Sequence, residues 1–360
     1  MSIQALIEIA VEKKASDIFI VAGCPIEIKV RNELIPITES PCSAFETEAY
    51  VSELYELSKH RSMDNLNKEG NDDFSFSLTT LARFRVNIFR QRGSLAAVLR
   101  IVRFSIPSAK ELHIPSEVSH FATLRKGLVI ISGPAGSGKS STLATLIDQI
   151  NHHRSAHIVT IEDPIEFLHK HNKSIVSQRE IGTDCFSTAM ALKAALRQAP
   201  DVIFIGEMRD LETIALAITA AETGHLVFST LHTLGASNTI DRIIDVFPAT
   251  QQTQIRVQLA MVLQAVISQQ LVHTVDNQLL PVFEIMVNSN AVRNQIREGK
   301  THQLANTIAS SKDEGMMSMD AMLYDLVVSG KIDAKEAMVH SFEPSIMLKK
   351  LSLLKPNKAV

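Results

Sequence analysis

The sequence predicts an α/β protein, in which a doubly wound domain with a mostly parallel sheet follows a smaller α+β domain. Three observations predict it. Apolar and polar residues alternate through much of the first hundred positions. From Lys126 onward, short apolar runs alternate with segments of helical period. A glycine-rich loop joins the first of those runs, Gly127-Leu-Val-Ile-Ile-Ser132, to the first helical segment. That run is apolar throughout, as a strand buried on both faces requires.

Taken in order, Ile3, Leu6, Ile7 and Ala10 have the spacing of a short amphipathic helix. Strands are expected over 17–22 and 26–30, with Gly23 and Pro25 turning the chain between them. A helix over 46–67 precedes strands over 74–78, 83–88 and 95–102, which together read as a mainly antiparallel sheet. The second domain has strands at 127–132, 158–161, 202–205 and 226–229, with helices at 187–198, 211–222 and 236–245. A long helix over 251–268, a hairpin of 270–274 with 280–286, and a helical last seventy residues complete it. The expected boundaries are 1–103 for the first domain, 104–115 for a linker, 116–345 for the second domain and 346–360 for a flexible tail around Pro356.

Composition narrows the function. A net charge of −3, with aromatics at 5%, gives no basic field or stacking platform for nucleic acid. Cys24, Cys42 and Cys185 are odd in number and widely spaced, which suits a reducing cytosol and neither a disulfide framework nor a cysteine zinc site. No stretch approaches a membrane span, and the N-terminus does not read as a signal peptide. The histidine pairs 152/153 and 169/171 lack the carboxylate or cysteine company of a metal site, and read as solvated polar residues.

The chemistry concentrates in Gly133-Pro134-Ala135-Gly136-Ser137-Gly138-Lys139-Ser140-Ser141. Glycines at the spacing G-x-x-x-x-G-K-[ST] let backbone N–H groups converge on phosphate oxygens, and the helix that follows adds its N-terminal dipole. Lys139 would reach the β- and γ-phosphates of ATP, and the Ser140 hydroxyl would ligate Mg²⁺. Two further strands end in acids, Glu162 after 158–161 and Glu207 after 202–205, where such sheets bind ligands. Glu207 stands where many such proteins hold the metal, directly or through water. Asp201 lies at the opposite end of its strand and reads as a turn residue. His225 precedes the strand at 226–229 and His232 follows it; each is a candidate sensor of the γ-phosphate or a structural histidine.

Phosphate loop, Ile161-Glu-Asp-Pro-Ile-Glu-Phe167, Gly206-Glu-Met-Arg-Asp-Leu-Glu-Thr213 and Thr223-Gly-His-Leu-Val-Phe-Ser-Thr-Leu-His-Thr233 occur in that order. Together they resemble the Walker A, Asp box, Walker B and His box of the type II/IV secretion ATPases, and within them the pilus retraction ATPases of the PilT type. Ala291-Val-Arg-Asn-Gln-Ile-Arg-Glu298 is similar to the A-I-R-N-L-I-R-E motif linked to retraction, departing at Val292 and Gln295. The long N-terminal extension and four-cysteine element usual in assembly ATPases are missing. The resemblance implies a PAS-like first domain, a RecA-like second domain and a homohexameric ring. It also implies catalytic roles for Glu162, Glu207, His225 and His232, and arginines from the first domain completing the site.

Arg83 and Arg85 fit that expectation because they share one face of a strand whose other face carries Phe84 and Val86. Arg100 and Arg103 lie on or just beyond the next strand. The implied activity is ATP hydrolysis powering pilus retraction, with an inner-membrane pilus base protein as partner and peripheral docking on the membrane. An assembly or accessory ATPase and a non-hydrolysing nucleotide-gated module are the alternatives.

Overall fold

The computed structural model describes residues 1–30, 33–58, 61–78, 81–102 and 106–353. The chain divides into two compact units, Met1–Ile106 with Glu166–Leu168, and Pro107–Ile165 with His169–Val360.

The N-terminal unit contains α1 (Ile3–Glu12), β1 (Asp17–Ile20), β2 (Glu27–Val30), β3 (Glu33–Pro36), α2 (Ala44–Leu57), α3 (Asp64–Glu69), β4 (Asn71–Leu78), β5 (Ala82–Gln91) and β6 (Ser94–Val102). Its six strands form one antiparallel sheet in the order β3-β2-β1-β6-β5-β4. Alternation sorts β5 cleanly: Phe84, Val86 and Ile88 are fully buried in the core with Leu6, Ile7 and Leu54, while Arg83 and Arg85 face away. The helix expected over 46–67 is two helices. Ser43 and Glu46 start the first with a reciprocal capping box, and Ser58 ends it, its hydroxyl donating to the Tyr55 carbonyl at 2.7 Å. β3 carries no internal alternation and lies at the sheet edge, which is why periodicity did not reveal it.

The C-terminal unit follows with α4 (Ser116–His120), β7 (Gly127–Ser132), α5 (Lys139–His153), β8 (His157–Glu162), β9 (Ile175–Glu180), α6 (Thr188–Ala195), β10 (Val202–Ile205), α7 (Leu211–Glu222) and β11 (Leu226–Leu231). It continues with α8 (Ala236–Asp245), α9 (Ala249–Val262), β12 (Leu263–His273), β13 (Leu279–Val287), α10 (Asn290–Arg297), α11 (Leu304–Ser310), α12 (Met319–Val328), α13 (Ala334–His340) and α14 (Pro344–Ser352). The sheet runs β13-β12-β7-β11-β10-β8-β9, parallel except where β12 meets β13. β7, β10 and β11 are buried at every position, and each face of the sheet has its own apolar layer, as the unbroken apolar runs required.

Three expectations are corrected here. The helix over 251–268 stops at Val262, and the chain enters β12 at Leu263. The Asn288 amide fixes the change, donating to the Ala260 and Leu263 carbonyls at 2.9 and 2.7 Å. Pairing with β7 and β13 then satisfies the backbone of a run whose apolar spacing fits helix and buried strand alike. β9 was not expected because Val176 is its one fully buried apolar residue. Residues 346–352, expected in the tail, lie in α14, where Met347 is buried against Leu323 and Ala337. Arg103, the start of the expected linker and Pro356 lie outside the described residues.

The two cores make a test. Phe84→Ala removes a fully buried ring stacked 5.3 Å from Phe76 and should cost about 3–5 kcal/mol. In hydrogen exchange of the full chain, amides of β4–β6 should lose two or more decades of protection while those of β7 and β11 keep theirs. Equal loss in both units would show a single cooperative core.

Candidate functional site

The loop between β7 and α5 leaves the C-terminal end of a central strand, between β12 and β11. Its conformation depends on glycine at two points. Gly133 has φ +147°, and a Cβ there would stand 2.2 Å from the Gln269 carbonyl oxygen and 2.8 Å from Ser137 Oγ. Gly138, at φ +85°, would push a Cβ to 2.9 Å from Gln269 Nε2. With both kept bare, the Gly133 N–H donates to Leu231 O at 3.2 Å, and Gly138 opens α5 without any side-chain cap. Uncapped N–H groups at the start of a fifteen-residue helix favour an anion.

Lys139 is the first residue of α5, 7% exposed, and its Nζ donates to the Gly133 and Pro134 carbonyls at 2.7 and 2.8 Å. The Ser137 hydroxyl is buried in the loop with no hydrogen-bond partner. Pro134, Ala135 and Gly136 are exposed, and Ser140 and Ser141 are half-buried on the first turn of α5. A bare-backbone cradle, a buried ammonium and an orphaned hydroxyl fit a polyphosphate. For Mg²⁺, the Ser140 hydroxyl and an acidic strand end are the hard oxygen donors that such an ion takes.

The acidic ends follow from strand order. β10 is two strands from β7 and β8 three, about 10 and 14 Å across the sheet. Glu207, two residues past β10, is half-buried; its Oε2 accepts from Arg209 Nε at 2.8 Å and lies 3.3 Å from His232 Nε2. This places the predicted acid and one predicted histidine in contact. Gly206 lets this turn lie close to the end of β8, where a Cβ would press on Ile161 O at 3.3 Å. Its carbonyl accepts from the Thr230 hydroxyl, and the Met208 N–H donates to Thr230 O at 3.2 Å. Glu162 ends β8, 7% exposed, and accepts from Thr160 Oγ1 at 2.6 Å and Gln178 Nε2 at 3.1 Å.

His225 requires a correction. It precedes β11 at the N-terminal edge of the sheet, where its carbonyl accepts from the Gly127 N–H at 3.0 Å. Its Nδ1 sits 2.9 Å from Ala220 O and 3.1 Å from Thr223 Oγ1, closing the C-terminal turn of α7. The six residues of β11 separate it from His232 by about 20 Å within the chain. Strand polarity divides the pair that the motif writes side by side. Asp201 behaves as a turn residue, its Oδ2 accepting from the His157 N–H at 2.8 Å.

Among the other histidines, His152 and His153 close the end of α5 on the Asp148 and Gln149 carbonyls, at 2.9 and 2.6 Å, and His171 is exposed. His169 is not solvated as expected. Its Nδ1 is buried without a partner, and burial depresses the imidazole from 6.5 to about 4. No group of three or more His, Cys, Asp or Glu is placed to hold a metal among the described residues.

In the N-terminal unit, Arg83 and Arg85 share the solvent-side face of β5, with Arg83 Nη1 donating to Ser77 Oγ at 3.4 Å. Arg85 is exposed and stands opposite Arg100 on β6, whose Nε contacts Asp17 Oδ1 at 3.2 Å. Sequence reasoning missed Gln269. This side chain, 2% exposed, accepts from Thr142 Oγ1 on α5 at 2.9 Å, and its carbonyl walls the phosphate loop. The signal was present: two glutamines, 269 and 270, interrupt an apolar run between Ile267 and Leu271.

Comparison with known proteins shows the family. The family model of type II/IV secretion system proteins matches residues 1–339. The chain is 41% identical to the type IV pilus retraction ATPase PilT of Pseudomonas aeruginosa, over 94% of this chain and 97% of that one. It is 40% identical to the type IV pilus ATPase PilU of the same organism, over 95% and 89%. The crystal structure of the pilus retraction motor PilT with bound ADP matches with a TM-score of 0.89 at 42% identity, covering 97% of this chain and 99% of that one.

Two outcomes are expected. Gly133→Ala should abolish binding of a fluorescent ATP analogue, and Gln269→Ala should weaken it ~5-fold, the worth of one buried hydrogen bond. Because its folded pKa lies below 6.5, His169 contributes stability above pH 6.5 that is lost as pH falls toward 4. Acid unfolding midpoints of His169→Gln should therefore lie lower than wild type, and an unchanged midpoint would refute the burial cost.

Proposed function

The chain belongs to the type II/IV secretion system proteins, and on that premise we propose that it is a ring-forming motor ATPase that powers type IV pilus retraction. The observation that carries the reading is the 3.3 Å contact of His232 with Glu207, on neighbouring strand ends beside the phosphate loop.

In this reading the backbone of 133–138 and Lys139 bind the phosphates of ATP, with Ser140 and Ser141 at the first turn of α5. Ser140, and Glu207 directly or through water, hold Mg²⁺, which neutralises charge on the phosphate oxygens. Glu207 and Glu162 orient and polarise the attacking water, and His232 responds to the γ-phosphate through its contact with Glu207. His225 keeps the role that its hydrogen bonds describe, as the cap of α7. Arg83 and Arg85, on the polar face of β5, supply positive charge to the transferring γ-phosphoryl group. The products are ADP, phosphate and mechanical work.

The assembly is a homohexamer acting at the cytoplasmic face of the inner membrane on a pilus base protein. In this reading the docking is peripheral; no helix among the described residues is long and apolar enough to cross a membrane. Nearly equal identity to PilT and PilU keeps an accessory ATPase as the second reading. What favours retraction is the likeness of 291–298 to the motif linked to it; the segment forms α10, which buries Val292 and Ile296, while Gln295 pairs with Thr307 of α11 at 2.9 Å.

Purified wild-type chain should turn over ATP, with Glu207→Gln losing ~100-fold in kcat while still binding nucleotide, and Lys139→Ala losing binding. Wild-type turnover no higher than these variants would sink the motor reading in favour of a nucleotide-gated module. Deleting the gene should give hyperpiliated cells that do not twitch; loss of surface pili would point to assembly instead.

A further inference from the structure

β13 carries one carboxyl into the interior. Glu284, 5% exposed, stands opposite Ser268 in the β12–β13 register. Its Oε1 accepts from the Ala236 N–H at 2.8 Å. Ala236 is the first residue of α8, so a strand side chain caps that helix from outside it, whereas α12 is capped by its own Ser318. Elsewhere in the C-terminal unit, α6, α7 and α10 are capped locally by Ser187, Asp210 and Ser289.

The α8 entrance has no such option. Its N-cap is Gly235, at φ +86°, where a Cβ would meet the Phe342 ring at 3.4 Å. The Gly235 N–H is held by Ser268 Oγ at 2.9 Å, and its carbonyl accepts from the Thr239 hydroxyl at 2.8 Å. The short segment 231–235 thus has His232 against Glu207 at one end and the Ser268–Glu284 anchor at the other. On the far side, Asp320 of α12 accepts from the Phe342 N–H at 2.7 Å, Ser341 Oγ at 2.9 Å and the Glu343 N–H at 3.0 Å. The connection therefore continues toward α13 and α14.

We propose that Glu284 is a positioning residue for hydrolysis: its carboxylate ties the start of α8 to β13 and thereby fixes the segment that presents His232 to Glu207. This rests on the reading of His232 and Glu207 given above. Burial, with Asp320 adding to it, pushes the carboxyl up to about 7, while the Ala236 and Met319 N–H groups favour the charged form. Of the packed elements, α12 presents Asp320, β12 presents Ser268, and the entrance to α8 presents Gly235 and Ala236. A local serine or aspartate caps a helix without a buried charge, so a carboxyl held here points to use of its charge. Protonation removes that charge and one acceptor site, and loosens the anchor.

The test uses the full-length chain, with ATPase kcat and KM from pH 5.5 to 8.5, a fluorescent ATP analogue for affinity, and thermal melts as a check of folding. Wild-type kcat should step up as pH rises through about 7. Glu284→Gln should lack that step and sit ~10-fold below the wild-type plateau, with nucleotide affinity within ~2-fold of wild type. Glu284→Asp should recover part of both the rate and the step, and serves if the Gln variant does not fold. His232→Gln should flatten the step as well, because Glu284 acts through the segment that presents His232, and a step of unchanged height in that variant overturns the proposal. A Glu284→Gln chain with wild-type kcat and pH profile overturns the proposal while leaving the hydrolysis reading intact. So does a chain that loses nucleotide binding in parallel with kcat. Absence of wild-type turnover ends both.

Discussion

Parallel pairing of β7, β11, β10 and β8 is the constraint on which the site depends. Because all four strands run in one direction, their C-terminal ends form a single edge, and every loop that leaves that edge emerges on the same side. The phosphate loop, His232, Glu207 and Glu162 are the first residues beyond those ends or the last within them. The same rule sends His225 and Asp201 to the opposite edge, where both are consumed in joining strands to helices. A site assembled from residues spread over a hundred positions is thus brought within the reach of a few strand spacings.

Holding that edge still requires polar groups inside the sheet. Ser268, Gln269, Gln270 and Glu284 are all buried on β12 and β13, although polar burial without partners is costly. Each is used. Gln269 braces α5 and the phosphate loop, Gln270 reaches His340, and Ser268 with Glu284 holds the entrance to α8. The antiparallel extension of the sheet therefore acts as a frame for the parallel part.

What could be read beforehand divides along physical lines. The phosphate loop was legible because its chemistry is local: the glycine conformations, the lysine and the helix start lie within nine consecutive residues. Glu162 and Glu207 were legible because strand ends mark themselves by a change from apolar to acidic. The first half of β12 was not, since Val262 to Ser268 satisfies helical spacing and a doubly buried strand equally, and only Asn288 and the pairing to β7 decide between them. The roles of Gln269 and Glu284 were hidden for a related reason: the glutamines stand out in an apolar run, but the partners of Gln269 and Glu284 lie 127 and 48 residues away. His225 and His232 could be placed before and after one strand from the sequence, and β11 puts them at its opposite ends.

The proposed mechanism also has to balance charge. Lys139 is held by two loop carbonyls and Arg209 is engaged with Glu207. A nucleotide triphosphate entering this cradle brings several negative charges, and Lys139 with one divalent ion offsets only part of them. Arg209 can contribute only by releasing the carboxylate that the reaction needs, so drawing on it would weaken the acid it serves. Arg85 carries no such penalty: it is exposed on a strand backed by Phe84 and Val86.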